Sequence, residues 1–151
     1  MPSASAAIEV DTPPGVLMDV ILDFASYPSF LPEVEEARVM RHTADAWEIG
    51  LALRVIRPLR FTIRAERTDE HTLRWALIEG RLHENDGAWT LTPLDDGARC
   101  HVRWTADVQV GLYLPGGLIR TLTTRRLPAT LSRFRERAES RWSAPTRSAP
   151  V

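Results

Sequence analysis

The sequence predicts an α+β domain: a curved antiparallel sheet of about seven strands wrapped around one long C-terminal helix, with short helices after the first strand. Three observations carry this. Apolar residues alternate with period two through most of residues 34–108, hairpin-length breaks separate the runs, and a helix-period apolar stripe follows the last of them. A sheet with one apolar face needs a cover, and that helix is the one long amphipathic element available. A twisted sheet of this size curls, and a helix laid across its concave side need not fill the space beneath. A cavity is therefore expected from the fold class alone.

The elements follow in order. Ser5 to Asp11 alternates weakly and reads as a first strand. Thr12 is placed to cap a helix, with Pro13 at its first position, where a missing N–H costs nothing. Val16, Leu17, Val20, Ile21 and Phe24 then recur at helical spacing. Ser26-Tyr27-Pro28-Ser29-Phe30-Leu31-Pro32 breaks that helix, because two prolines so close allow at most one turn between them.

Strand runs lie at residues 47–55, 61–66, 73–78, 88–92 and 100–108. The breaks are Thr43-Ala44-Asp45, Arg57-Pro58, Thr68-Asp69-Glu70 and Asp95-Asp96-Gly97. Leu114-Pro115-Gly116-Gly117 ends the sheet. Leu118, Ile119, Leu122, Leu127, Leu131, Phe134 and Ala138 form the stripe of the long helix, which Pro128 is expected to kink or interrupt. Residues 143–151 lack periodicity and read as a disordered tail beyond a single domain at residues 1–142.

Composition narrows the function. With 151 residues, 44% hydrophobic, the chain can bury an ordinary core. A net charge of -1 argues against DNA as a partner. All 19 basic residues are arginine, so every cation is planar and permanently charged. Cys100 is the single cysteine, which fits a reducing, cytoplasmic setting. The first residues lack the basic and apolar regions of a signal peptide, and no run approaches the ~20 apolar residues of a spanning helix. A soluble protein is expected, with peripheral contact at a membrane surface left open.

Several segments carry a family resemblance. They are Tyr27-Pro28-Ser29-Phe30-Leu31-Pro32, Leu77-Ile78-Glu79-Gly80, Gly87-Ala88-Trp89-Thr90-Leu91-Thr92-Pro93-Leu94, and Leu114-Pro115-Gly116 before a long helix. Together they resemble the START-related (SRPBCC, Bet v 1-like) superfamily of polyketide cyclases and lipid-binding proteins, closest to its coenzyme Q-binding and RatA-like branch. The resemblance spans Ser5 to Arg141. It implies the helix-grip fold and a hydrophobic cavity, with polyprenyl quinones, lipids or aromatic polyketides as ligand classes. The chain departs from RatA-like sequences at Glu33-Val34-Glu35-Glu36, where they tend to carry a cysteine.

No catalytic residue, metal site or cofactor is assigned. A Gly-x-Ser-x-Gly elbow is missing, and His42, His71, His83 and His101 lie singly rather than at metal-binding spacing. Cys100 shares the apolar parity of its strand, as a small buried hydrophobe would. The glycines fall in turns, strands and the bend before the helix, not in a phosphate loop.

The expected site is a ligand cavity. Tyr27, Phe30 and Leu31 would form a mobile gate. Leu51, Leu53, Trp75, Leu77, Trp89 and Trp104 would form the sheet-side wall, and Leu118, Leu122 and Leu131 the helix-side lid. Arg67 and Glu79 continue the apolar parity of their strands. They either point a charge at the cavity mouth or, if the strands bulge there, are solvated. Arg120, Arg125, Arg133, Arg137 and Arg141 form a solvated face, or one that touches anionic headgroups or ribosomal RNA. The expected function is non-catalytic carriage of a hydrophobic small molecule by a monomer or weak dimer. The alternatives are a polyketide aromatase/cyclase using the same cavity and a ribosome-associated binding module.

Overall fold

The computed structural model describes residues 3–54, 58–80, 82–110 and 127–148. Strand β1 (Ser3–Val10) leads into helix α1 (Pro14–Leu22), a 3₁₀ turn (Phe24–Ser26) and the single-turn helix α2 (Tyr27–Phe30). Six strands follow: β2 (Val34–His42), β3 (Ala46–Arg54), β4 (Pro58–Asp69), β5 (Thr72–Gly80), β6 (Leu82–Leu94) and β7 (Arg99–Val110). Helix α3 (Leu127–Ser148) closes the described chain. The strands form one antiparallel sheet in the order β1-β7-β6-β5-β4-β3-β2, so the expected α+β helix-grip architecture is the one observed.

Alternation sets the face of each strand. Val10, Trp47, Ile49, Phe61, Ile63, Ala65, Leu73, Trp89, Leu91, Cys100 and Val102 are buried on one side, with exposed or half-exposed polar residues between most of them. Register aligns these faces across the sheet: Ile49 opposite Ile63, Ala65 opposite Trp75, Trp89 opposite Trp104, Leu91 opposite Val102. Each fully buried aliphatic side chain contributes roughly 1.5–3 kcal/mol of transfer free energy.

Helix α1 starts one residue later than expected. Pro14, not Pro13, takes the first helical position, and the Pro13 carbonyl accepts the N–H of Val16 at 3.1 Å. Thr12 does not cap the helix. Its buried hydroxyl donates instead to the Pro13 carbonyl at 3.2 Å. The two prolines behave as the sequence requires: α2 spans only Tyr27–Phe30, with Pro28 in its first turn and Pro32 just beyond it.

Two further expectations change. The β4–β5 connection lies at Glu70-His71, because β4 runs on to Asp69. Pro128 is the second described residue of α3, and the residues before Leu127 lie outside the described ones. The α3 backbone also continues past Ser143 to Ser148, into the stretch expected as tail. Leu118, Ile119, Leu122, Arg120 and Arg125 lie outside the described residues.

Helix α3 crosses the concave face with Leu127, Leu131, Phe134 and Ala138 turned inward. Its later turns pack against α1 and β1, where Glu139 Oε2 accepts the backbone N–H of Asp11 at 2.9 Å and Arg141 pairs with Asp23 at 3.3 Å. Its first turns stand over β3 to β7.

Candidate functional site

Beneath the first turns of α3 the interior is hollow. A cavity of about 210 Å³ lies between the sheet and the helix. The sheet supplies Leu51 and Leu53 from β3, Phe61, Ile63 and Ala65 from β4, Leu73 and Trp75 from β5, Trp89 and Asn85 from β6, and Trp104 from β7. Helix α3 supplies Leu127, Thr130, Leu131 and Phe134, and the α1–β2 connection supplies Phe24, Tyr27, Leu31 and Glu33, with Val34 at the start of β2.

One wall is an aromatic chain. Phe134 meets the rings of Tyr27 at 5.4 Å and Trp89 at 4.9 Å in edge-to-face contact, and Phe24 links Tyr27 (5.6 Å) to Trp47 (5.9 Å). The Tyr27 hydroxyl donates to the Ile21 carbonyl at 2.5 Å, tying α2 to the end of α1. Burial, with Asp23 nearby, holds this phenol well above its ordinary range, so it stays protonated.

The opposite wall turns on Trp75. Its neighbours across the sheet are Ala65 and Gly87, small residues that leave room for an indole lying along the strands. A Cβ on Gly87 would collide with that ring and with the Thr105 carbonyl. The Trp75 Nε1–H donates to Asn85 Oδ1 at 3.0 Å, and the ring lies 5.7 Å from that of Trp104. Among the described residues, β5–β6 pairing stops at Trp75 opposite Gly87. Beyond it the Leu77 N–H is met by the Asp86 side chain at 3.2 Å.

Of the expected gate, Tyr27 and Leu31 line the cavity. Phe30 does not: it meets Phe134 edge to face at 5.2 Å, under the Arg137 guanidinium at 4.7 Å. Leu51, Leu53, Trp75, Trp89 and Trp104 line the sheet side. Leu77 is half-buried against the core but not among the lining residues. Leu131 lines the helix side, while Leu118 and Leu122 fall outside the described residues.

Neither inward charge materialises. A bulge separates the pair Ile63–Leu77 from the pair Thr62–Glu79, which moves Glu79 onto the parity of outward Thr62 and leaves it exposed. Gly80 closes that irregularity at φ 138°, against Phe61. Arg67 keeps its parity but lies at the end of the strand, where its guanidinium donates to the Glu70 carbonyl at 3.1 Å across the turn.

Sequence reasoning missed Phe24, Glu33, Val34, Phe61, Ile63, Ala65, Leu73, Asn85, Leu127, Thr130 and Phe134. For Phe61, Ile63, Ala65, Leu73 and Phe134 the signal was present, since each lies on an apolar face already recognised. Glu33 and Asn85 lie where no periodicity points.

Among the described residues no group of three His, Cys, Asp or Glu could hold a metal ion. His42 stacks on Trp47 at 4.8 Å and is exposed, and His71 sits in a turn. Cys100 is buried away from the cavity, and burial pushes its thiol up to about 11 despite the opposing influence of Arg99. No described helix is long and apolar enough to cross a membrane.

Residues 10–135 match the family described as polyketide cyclase / dehydrase and lipid transport. A START superfamily protein from Mycobacterium smegmatis superposes with a TM-score of 0.80 at 18% identity, covering 91% of this chain and 97% of that one. The Zhui aromatase/cyclase from Streptomyces sp. R1128 does so with a TM-score of 0.81 at 16% identity, covering 95% and 96%. The persistence and stress-resistance toxin PasT of Escherichia coli is 25% identical over 116 residues, which is 72% of this chain and 69% of that protein.

Proposed function

This chain belongs to the polyketide cyclase/dehydrase and lipid-transport family, and we propose that it binds and carries a hydrophobic small molecule without converting it. The observation that carries this reading is the cavity between β2 to β7 and the start of α3, walled almost wholly by aliphatic and aromatic side chains. Its polar groups are engaged with protein partners: Tyr27 with Ile21, Trp75 with Asn85, and Glu33 with Thr130. None of these forms the nucleophile–base pair that covalent catalysis needs.

Size limits the ligand. A volume of about 210 Å³ is below the ~300–1,000 Å³ of typical small-molecule sites. A ring system or a short chain fills it, and a polyprenyl quinone would place only its head there. The protein acts in the cytoplasm as a monomer or weak dimer. The arginine face of α3, including exposed Arg133 and Arg141, meets anionic headgroups during loading.

Native mass spectrometry of the purified protein, with organic extraction, tests this. A stoichiometric quinone, isoprenoid or other apolar molecule is expected. A protein that is empty and takes up neither added quinones nor lipids would refute the carrier role.

A second reading is favoured by the superposition on an aromatase/cyclase over nearly the full chain. In that case the purified protein would change the product pattern of a polyketide synthase. Ribosome association is the third reading, and its sign would be salt-sensitive co-sedimentation lost on reversing Arg133 and Arg137.

A further inference from the structure

The polar lining of the cavity is unbalanced in charge among the described residues. Among the described lining residues Glu33 is the one carboxylate, and no arginine or histidine stands with it. Its neighbours in sequence are neutralised outside the cavity: Glu35 pairs with Arg54, and Glu36 with Arg60 at 3.2 Å and Arg38 at 3.5 Å. Glu33 takes part in none of the ion pairs formed by the described residues, and the hydrogen bond to its carboxylate comes from Thr130 Oγ1, at 2.9 Å to Oε1.

Its position is fixed from two sides. The Glu33 carbonyl accepts the Arg54 N–H at 2.8 Å, anchoring the backbone to β3, while Thr130 anchors the side chain to α3. The carboxylate is half-buried, so residual water can solvate it when the cavity is empty. An ionised carboxylate is acceptor-only, with room for about four hydrogen bonds. A ligand O–H or N–H can replace the lost water, whereas a ligand carboxylate brings a like charge into a site of low dielectric.

We infer that Glu33 determines specificity in this cavity, selecting neutral or cationic amphiphiles that carry a hydroxyl or amine donor and rejecting anionic ones such as fatty acids. The inference rests on the carrier reading and narrows its ligand class.

Three probes of one shape test it by calorimetric titration: 2-naphthol, 2-naphthoate and naphthalene. The native protein is expected to bind naphthol at least about tenfold more tightly than naphthoate. In Glu33→Gln the amide oxygen still accepts from Thr130 and from a ligand donor, but the charge is gone. There the two affinities should come within about threefold, through a gain for naphthoate. Glu33→Leu should lower naphthol to the level of naphthalene. An unchanged thermal midpoint in Glu33→Gln would show that the fold is intact. Naphthoate bound as tightly as naphthol by the native protein, or an unaltered ratio in Glu33→Gln, would overturn the assignment while leaving the carrier reading standing. Failure of all three probes to bind the native protein would overturn both.

Discussion

The interior under α3 is built in two ways. Where α1 and the later turns of α3 meet β1, β6 and β7, side chains interlock: Val10, Leu17, Met18, Val20, Ile21, Leu91, Cys100, Val102 and Ala138 are essentially inaccessible. Under the first turns of α3 the same kinds of residue leave a void, and Leu51, Leu53, Trp75, Trp104 and Leu127 are only half-buried although they face inward. Residue size at the helix surface accounts for much of the difference. Ala138 lets α3 approach closely, whereas Phe134, propped edge-on by Tyr27, Phe30 and Trp89, holds it away. Apolar composition is alike in both regions, so it is the geometry of the cover that decides which one can hold a ligand.

Truncation should separate the two regions most strongly. Leu17→Ala or Ile21→Ala opens a new cavity in packed surroundings and should cost about 2–5 kcal/mol in urea denaturation. Leu51→Ala or Leu53→Ala borders space already empty and should cost about 1 kcal/mol. Equal losses would mean that the region under the first turns of α3 is not hollow.

Filling should have opposite consequences. Ala138→Leu overpacks and should destabilise by about 1–3 kcal/mol. Ala65→Leu grows into free space and should stay within about 0.5 kcal/mol of the native protein while weakening naphthalene binding. Gly87→Ala belongs with the overpacked class. It should cost about 1–3 kcal/mol and shift tryptophan emission as the Trp75 indole is pushed off Asn85.

A further effect is a pH dependence confined to the packed region. The Cys100 thiol is raised by burial to about 11 from an ordinary value near 9. The folded state then binds more protons than the unfolded chain between those values, so its contribution is full below about pH 9 and is lost as pH rises towards 11. Cys100→Ala should remove that part of the decline in thermal melts, and a thiol reagent should label native Cys100 slowly at pH 8.

Much of this was legible in the sequence, and the reasons are local. Period-two alternation placed Ile49, Ile63, Leu73, Trp89 and Val102 on one face because strand parity is set by the backbone alone. Tyr27 and Leu31 were recognisable because Pro28 and Pro32 restrict the connector to a single turn. Glu79 takes the solvated alternative because a one-residue bulge reverses parity, and nothing in Leu77-Ile78-Glu79-Gly80 except its glycine signals one. Thr12 misled because a second proline lets the helix begin one residue later. Glu33 and Asn85 were invisible for a different reason. Each reaches the cavity through a junction where a strand begins or its pairing stops, and such places have no period to read.

The most direct test of the contrast is a naphthalene titration of methyl-labelled protein followed by NMR. Methyl shifts are expected at Leu51, Leu53, Leu73 and Leu131, with Leu17, Leu91 and Val102 unmoved. Shifts spread evenly over both sets, or confined to exposed positions such as Val39 and Met40 on β2, would contradict a dedicated apolar cavity beneath the first turns of α3.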